Sequence, residues 1–235
     1  VSRSNFILAR LADEELGALL PYLSVVKLTF GEVIAETHER VRRVYFPHSG
    51  IISCVVDLAG GGAIETGMIG KDGVCGALQA LDDKISLNRI VVQVAGEASV
   101  IDPDRLRDFA LSSPNLRKLL VKYDLLFMAQ VQQTAACNAV HNVRQRLCRW
   151  LLRMHDLQGP NLELTQEFLA QMMGVRRTSV TDVAKELQKA GLISYKRGQI
   201  HISDVDLVKA WACECEEDLR MHHKHIFDPS PSENF

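Results

Sequence analysis

The chain changes its hydrophobic period at Asp102-Pro103, and that change restricts it to a two-part architecture. Before that point short β-branched runs recur: VVKLTF, VYFP, IISCVVDL, AIETGMI, RIVVQV and ASVID. Turn-forming residues separate them at Gly31, His48-Ser49-Gly50, Gly60-Gly61-Gly62, Lys71-Asp72-Gly73 and Gly96. Eleven of the 15 glycines lie in the first 100 residues, which marks this as the turn-rich half. Runs of this length between glycine turns predict a small antiparallel barrel or sandwich. Ahead of them, Phe6, Leu8, Leu11, Leu16, Leu19 and Leu20 form the apolar side of a short helix that Pro21 ends.

After Pro103 the spacing is helical. A short helix is expected over 104–110, and Ser113 caps a longer one with Pro114 in its first turn. From Asn115 to about Asn138 no Gly or Pro interrupts the chain. Leu116, Leu120, Tyr123, Phe127, Gln130, Thr134 and Cys137 follow alternating steps of four and three, a heptad-like seam. A second stripe (Leu119, Leu126, Ala129, Ala136 and Val140) runs beside it. Two such faces suit a helix that packs on its own β domain and on a partner helix, and the seam is read as the dimerising one. A single amphipathic helix buried in one domain is the plainer alternative. A further helix, rich in Arg and Leu, covers 141–155 and is closed by Gln158-Gly159-Pro160-Asn161.

The most specific signal is LTQEFLAQMMGVRRTSVTDVAKELQKAGLISYKRGQIHI, residues 162–202. Thr165 suits a helix cap, and the first helix runs to about Met172. Gly174 stands where the chain turns sharply, and a second helix begins near Arg176. Apolar residues at 169, 173, 175, 180 and 183, with the small Ala170 where two helices would touch, give the spacing of a helix-turn-helix. In that arrangement the start of the second helix enters the major groove. Arg177 then offers a bidentate fork to guanine, and Thr178, Ser179 and Thr181 are short donors or acceptors for base edges or phosphates. Asp182 can accept from a cytosine amino group or orient an arginine. Arg176, Lys185 and Lys189 suit phosphates or solvated charge. Thr165 and Gln166, at the first helix's N-terminus, suit a phosphate. Gly191 ends the second helix, and LISYK-RG-QIHI alternates about Arg197-Gly198 as a hairpin, placing Lys196 and Arg197 at a wing tip beside the DNA backbone.

Charge agrees with this placement. The whole chain carries 27 Lys/Arg against 29 Asp/Glu, yet residues 141–200 hold ten against five. A basic block in an acidic body is suited to a polyanion. With 47% apolar and 24% charged residues the composition is that of a globular protein. No apolar run approaches the roughly 20 residues that span a bilayer. Asp and Glu interrupt the first 20 residues, so no secretory leader is read there and a cytoplasmic location is expected, with no membrane partner.

Taken together, these segments resemble the Crp/Fnr family of bacterial transcription regulators over nearly the whole chain. FGEVIAE, VYFPHSGIISCVV, ETGMIGKDGVCGALQAL and VQVAGEASVI are similar to the family's β-roll, and LTQEFLAQMMGVRRTSVTDVAKELQKAGLISYKRG to its DNA-binding motif. The resemblance implies an α+β chain. It would have an antiparallel β-roll (a double-stranded β-helix) over 1–112, a dimerisation helix over 113–138, a winged helix-turn-helix over 139–207, and a C-terminal helix and tail over 208–235. It implies a homodimer on pseudo-palindromic double-stranded DNA, an effector signal passed through the long helix, and RNA polymerase as a partner if the protein activates. Arg177, Thr178 and Asp182 fall on the family's base-reading positions, where its usual glutamate and arginine are Thr178 and Asp182 here.

The sensor half departs from the cyclic-AMP-responsive members. Their Gly-Glu pair is Gly70-Lys71 here, and their later Arg-Ser/Thr-Ala falls in Ile85-Ser86-Leu87-Asn88, which lacks the arginine a cyclic phosphate needs. Gly70, Lys71, Ser86 and Arg89 are the effector-pocket candidates, and a cyclic-AMP response is not expected. The first 53 residues hold no cysteine, so the clustered N-terminal iron–sulphur set is absent. Cys75 has no histidine nearby for haem, and no cofactor is expected. The six cysteines form no C-x-x-C and fit a reducing compartment. Cys213-Glu214-Cys215 with His222-His223-Lys224-His225 suits a metal by residue type. On a helix, however, residues 213 and 215 diverge by about 200°. A helix end and tail, with no metal, is therefore the expectation, and a metal- or redox-responsive sensor the alternative. No catalytic constellation is present, so the chain is not read as an enzyme.

Overall fold

The β-branched runs of the first half become strands in the computed structural model, which describes residues 3–82 and 85–228. They are β1 (Ser24–Leu28), β2 (Val33–Ala35), β3 (Val44–Pro47), β4 (Ile51–Asp57), β5 (Ala63–Ile69), β6 (Arg89–Val94) and β7 (Gly96–Ile101). They form two sheets, ordered β1-β7-β3 and β2-β6-β4-β5. The assigned pairs are antiparallel, with Ser24 opposite Val100 and Cys54 opposite Ile90. β3 and the middle of β6 are buried on both faces, so their runs show no alternation.

The single N-terminal helix expected before Pro21 is instead two, α1 (Phe6–Ala9) and α2 (Asp13–Leu19), followed by a 3-10 turn at Leu20–Tyr22. The break follows from capping. Glu15 accepts from the Ala12 amide at 3.1 Å and starts a new helix with three acidic residues in its first turn. Asn5 caps α1 and is fully buried. Its carbonyl accepts from Ile7 and Leu8, and its amide donates to Pro47 and Gly73 oxygens at 2.9 and 2.8 Å. A short α3 (Ala77–Leu81) and α4 (Pro103–Ser112) follow their neighbouring strands.

The long helix α5 spans Pro114–Val140, and the Ser113 hydroxyl caps it by accepting from Leu116 N at 3.0 Å. Its buried face corrects the seam expectation. Leu116, Leu120, Tyr123, Gln130 and Cys137 are buried within the protein's own units, while Phe127 and Thr134 are half-buried. The face left open carries Val121, Leu125 and Met128, 48%, 57% and 52% exposed, and continues through Gln132, Ala135 and Ala139. Both rows keep the four-three spacing. Spacing alone could not separate them, because the helix is apolar on both sides and the bulkier row went to the interior.

Two compact units result. One comprises residues up to Val55 with Gly67–Phe127, the other Val56–Thr66 with Met128 onward. In the second, α6 (Val143–Gln158) is central, with Leu147, Leu151, Leu152 and Met154 fully buried. Asn142 and Gln145 form its capping box, so His141 and Asn142 make the break after α5. The Trp150 indole donates to buried Glu65 at 2.9 Å. Around α6 lie α7 (Gln166–Met173), α8 (Arg177–Lys189) and a sheet ordered β8-β10-β9, from Asn161–Glu163, Gln199–Ile202 and Ile193–Lys196. Then come α9 (Val205–Trp211) and α10 (Cys215–Phe227). The helix expected through 213–215 is therefore interrupted at 212–214. The tail expectation from residue 229 lies outside the described residues. No helix among the described residues is long and apolar enough to cross a membrane.

Candidate nucleic-acid interface

Helices α7 and α8 are set by local chemistry. The Thr165 hydroxyl oxygen accepts from Phe168 N at 3.2 Å, which caps α7 and leaves the hydroxyl proton free to donate outward. Gly174 ends α7 at φ 62°, ψ 38°, the left-handed region where a side chain is strained. The chain then enters α8, which buries Val180, Ala184 and Leu187. Its other side is exposed at Arg177, Thr178, Asp182, Lys185 and Lys189, with Arg176 exposed at its start. Thr178, Asp182, Lys185 and Lys189 stand at four-, three- and four-residue steps, one continuous face of a helix.

Other candidates are engaged within the protein. The Thr181 hydroxyl lies 2.7 Å from Gln166 Oε1 and 3.0 Å from the Arg177 carbonyl. Thr181 and Gln166 thus tie α8 to α7, and Ser179 is half-buried beside them. Arg177 pairs with Glu167 at 3.4 Å. Both groups are well exposed, so the pair is weak and can give way to a stronger partner. At the wing, Lys196 and Gln199 are paired across Arg197 and Gly198, whose φ values are 50° and 79°. Two positive values in a two-residue loop make a type I′ turn, which Gly198 accommodates without strain. Lys196 and Arg197 project at its tip, both exposed.

The basic block is partly structural, which sequence reasoning missed. Arg144 pairs with Glu186 at 2.9 Å and stacks over Trp211, joining α6 to α8. Arg146 donates to the Met173 carbonyl at the end of α7. Arg149 is buried. The i, i+4 and i+7 spacing of apolar residues on α6 identifies its buried face, yet nothing in it marks arginines that cap neighbouring helices.

The sensor candidates do not converge. In the first unit a cavity of about 70 Å³ is lined by Cys54, Cys75, Ser86, Leu120, Tyr123 and Asp124 among others. Ser86 alone of the four candidates reaches it, and its hydroxyl donates to the Asn88 carbonyl at 2.6 Å. Gly70 is buried, Lys71 lies on an exposed turn, and Arg89 opens β6. No Lys or Arg lines the cavity among the described residues. Burial pushes the Asp124 carboxyl and the Cys75 thiol up from their ordinary values.

The C-terminal cysteines are also rearranged. Cys213 and Cys215 flank the α9–α10 turn and are buried with Cys137, which sequence spacing had placed in the dimer seam. His222 and His225 are exposed on α10 away from them, and His223 stacks on Phe227.

The family model of the Crp-like helix-turn-helix domain matches residues 145–211. No curated protein matches the chain. Among solved structures, FixK2 from Bradyrhizobium japonicum is similar at a TM-score of 0.70 and 12% identity, covering 81% of this chain and 98% of that one. A CRP-family transcriptional regulator from Thermus thermophilus is similar at 0.66 and 20% identity, over 80% of this chain and 96% of its own. The c-di-GMP responsive global regulator CLP of Xanthomonas campestris is similar at 0.64 and 17% identity, over 82% of this chain and 100% of its own. At these identities the likeness is one of fold.

Proposed function

We propose that the chain, whose residues 145–211 match the Crp-like helix-turn-helix domain, is a transcription regulator of the Crp/Fnr type that acts as a homodimer and reads a pseudo-palindromic operator through α8. One observation carries this reading. The helix-turn-helix buries Val180, Ala184 and Leu187 and turns Arg177, Thr178, Asp182 and Lys185 outward together. In the proposed complex Arg177 leaves Glu167 for a guanine, and Thr178 and Asp182 read adjacent bases. Thr165, Arg176, Lys185, Lys189, Lys196 and Arg197 meet phosphates and fix the register. Gln166 and Thr181 hold α7 and α8 in place for this contact. The partner protomer packs on the open row Val121, Leu125 and Met128 of α5. An effector held in the first unit's cavity would meet Ser86, Tyr123 and Asp124 among its lining residues.

Electrophoretic retardation of duplex DNA over a salt series tests this. Specific binding weakens steeply as salt rises, because phosphate contacts release counterions. Arg177→Ala loses about 1–3 kcal/mol on the selected site and relaxes its preference at one position. A chain that binds no duplex more tightly than heparin at any salt refutes the reading.

A further inference from the structure

Four metal-ligand side chains outside the DNA-reading face converge at one point of the second unit. The Sγ atoms of Cys137, Cys213 and Cys215 and a ring nitrogen of His141 all lie within 4.8 Å of one another. Cys137 and Cys213 sulfurs are 3.6 Å apart, and the Cys215 sulfur is 3.5 Å from His141 Nδ1. We propose that these four residues form a closed tetrahedral site for a single zinc ion.

The distances suit one ion. Zinc holds thiolate sulfur at about 2.3 Å and imidazole nitrogen at about 2.0 Å, so the edges of its tetrahedron are roughly 3.5–3.8 Å long. The two measured edges match that length. In an iron–sulfur cluster the four protein ligands are divided among two or four irons, which sets those on different irons farther apart than ligands sharing one ion.

The surroundings are those of a ligand set. His141 Nε2 lies 3.2 Å from a Glu214 carboxylate oxygen. A proton held there leaves the Nδ1 lone pair directed at the three sulfurs, the carboxylate–histidine–metal arrangement of zinc sites. Three thiolates and one imidazole around Zn²⁺ leave one net negative charge. Arg149 is buried, with its guanidinium 3.4 Å from the Thr134 hydroxyl one turn before Cys137 on α5, so that charge has a cation nearby.

The backbone explains how the ligands meet. Cys137 and His141 are one helical turn apart at the end of α5 and the start of the break. Cys213 lies in the α9–α10 turn and Cys215 opens α10, so they do not share one helix and their side chains are free to converge. All three cysteines are buried and His141 is half-buried, leaving no open coordination position. A site closed by four protein ligands is structural, not catalytic. The ion would pin the α9–α10 turn to the α5–α6 junction. Because α9 and α8 both pack on α6, this steadies the helices that carry the DNA-reading face.

The test uses the full chain purified under reducing conditions. Elemental analysis is expected to find about one zinc per chain. After chelation, one equivalent of Co²⁺ is expected to give intense tetrahedral absorption with a strong thiolate-to-cobalt charge-transfer band. Cys213→Ser, Cys215→Ser and His141→Ala should each lose at least tenfold in Co²⁺ affinity, while Cys54→Ser, remote from the cluster, keeps it. If a variant fails to fold, the wild-type spectrum decides alone, because the charge-transfer intensity reports the number of thiolates bound. Substoichiometric metal with a pale octahedral Co²⁺ spectrum overturns the proposal. So does a brown, iron-containing protein, or a Cys137–Cys213 disulfide in material kept reduced.

Discussion

Gly174 is the position where a single added methyl group tests the helix-turn-helix most sharply. Its φ of 62° lies in the left-handed region, where an alanine costs about 1–2 kcal/mol. A Cβ built there would also stand 2.8 Å from Ile64 Cδ1. That atom is the end of a flexible side chain, so it moves aside at an off-rotamer cost of about 0.5–1.5 kcal/mol. Gly174→Ala should therefore destabilise the second unit by about 2–3 kcal/mol. Gly174→Asn should cost about 1 kcal/mol less, since asparagine tolerates the left-handed region. Gly174→Val should cost the most, because a β-branched side chain fits that region worst. Urea unfolding followed by tryptophan fluorescence reads the second unit alone, because the chain's two tryptophans, Trp150 and Trp211, both belong to it. The alanine variant should lose roughly 1 M or more in midpoint with an unchanged slope. An alanine variant as stable as the parent, or an asparagine variant weaker than the alanine one, would refute the left-handed turn.

On α5, Leu125→Glu should give monomers in sedimentation while the β-roll still unfolds cooperatively. Leu120→Ala should cost about 2–5 kcal/mol of stability, because it opens a cavity in the first unit. The reverse pattern would restore the seam expected from spacing. Asp124→Asn should stabilise the first unit at neutral pH. Burial raises the Asp124 pKa above 3.8, so its favourable protonated state is complete below 3.8 and is lost as pH rises through the folded value. The gap between variant and parent in thermal unfolding should widen from pH 3 to pH 7, and a constant gap contradicts the assignment.

The parts of this molecule that were legible in the sequence are those that local chemistry determines. Thr165 as a cap, Gly174 as a left-handed turn, Gly191 at φ 80° after α8 and Arg197-Gly198 as a tight hairpin each follow from their own residues. β8 was not legible. Its three residues carry little pattern, and it is a strand because it pairs with β10 nearly 40 residues later. The buried face of α5 was ambiguous for a different reason, since two apolar rows share one period and only packing chooses between them. Sequence spacing also set Cys213 and Cys215 apart by assuming one continuous helix. The break at 212–214 and the arrival of Cys137, 76 residues away, bring them together. The excess of arginines over 141–200 overstated the DNA-facing charge, because Arg144, Arg146 and Arg149 serve the packing of α6.

Selecting binding sites from a pool of random duplexes with the purified protein addresses the role of α8 most directly. Two α8 helices related by a two-fold axis should enrich inverted half-sites whose centres are about 10–10.5 base pairs apart, or a multiple of that. Enrichment of no sequence, or of an unpaired half-site bound by one protomer, would contradict it.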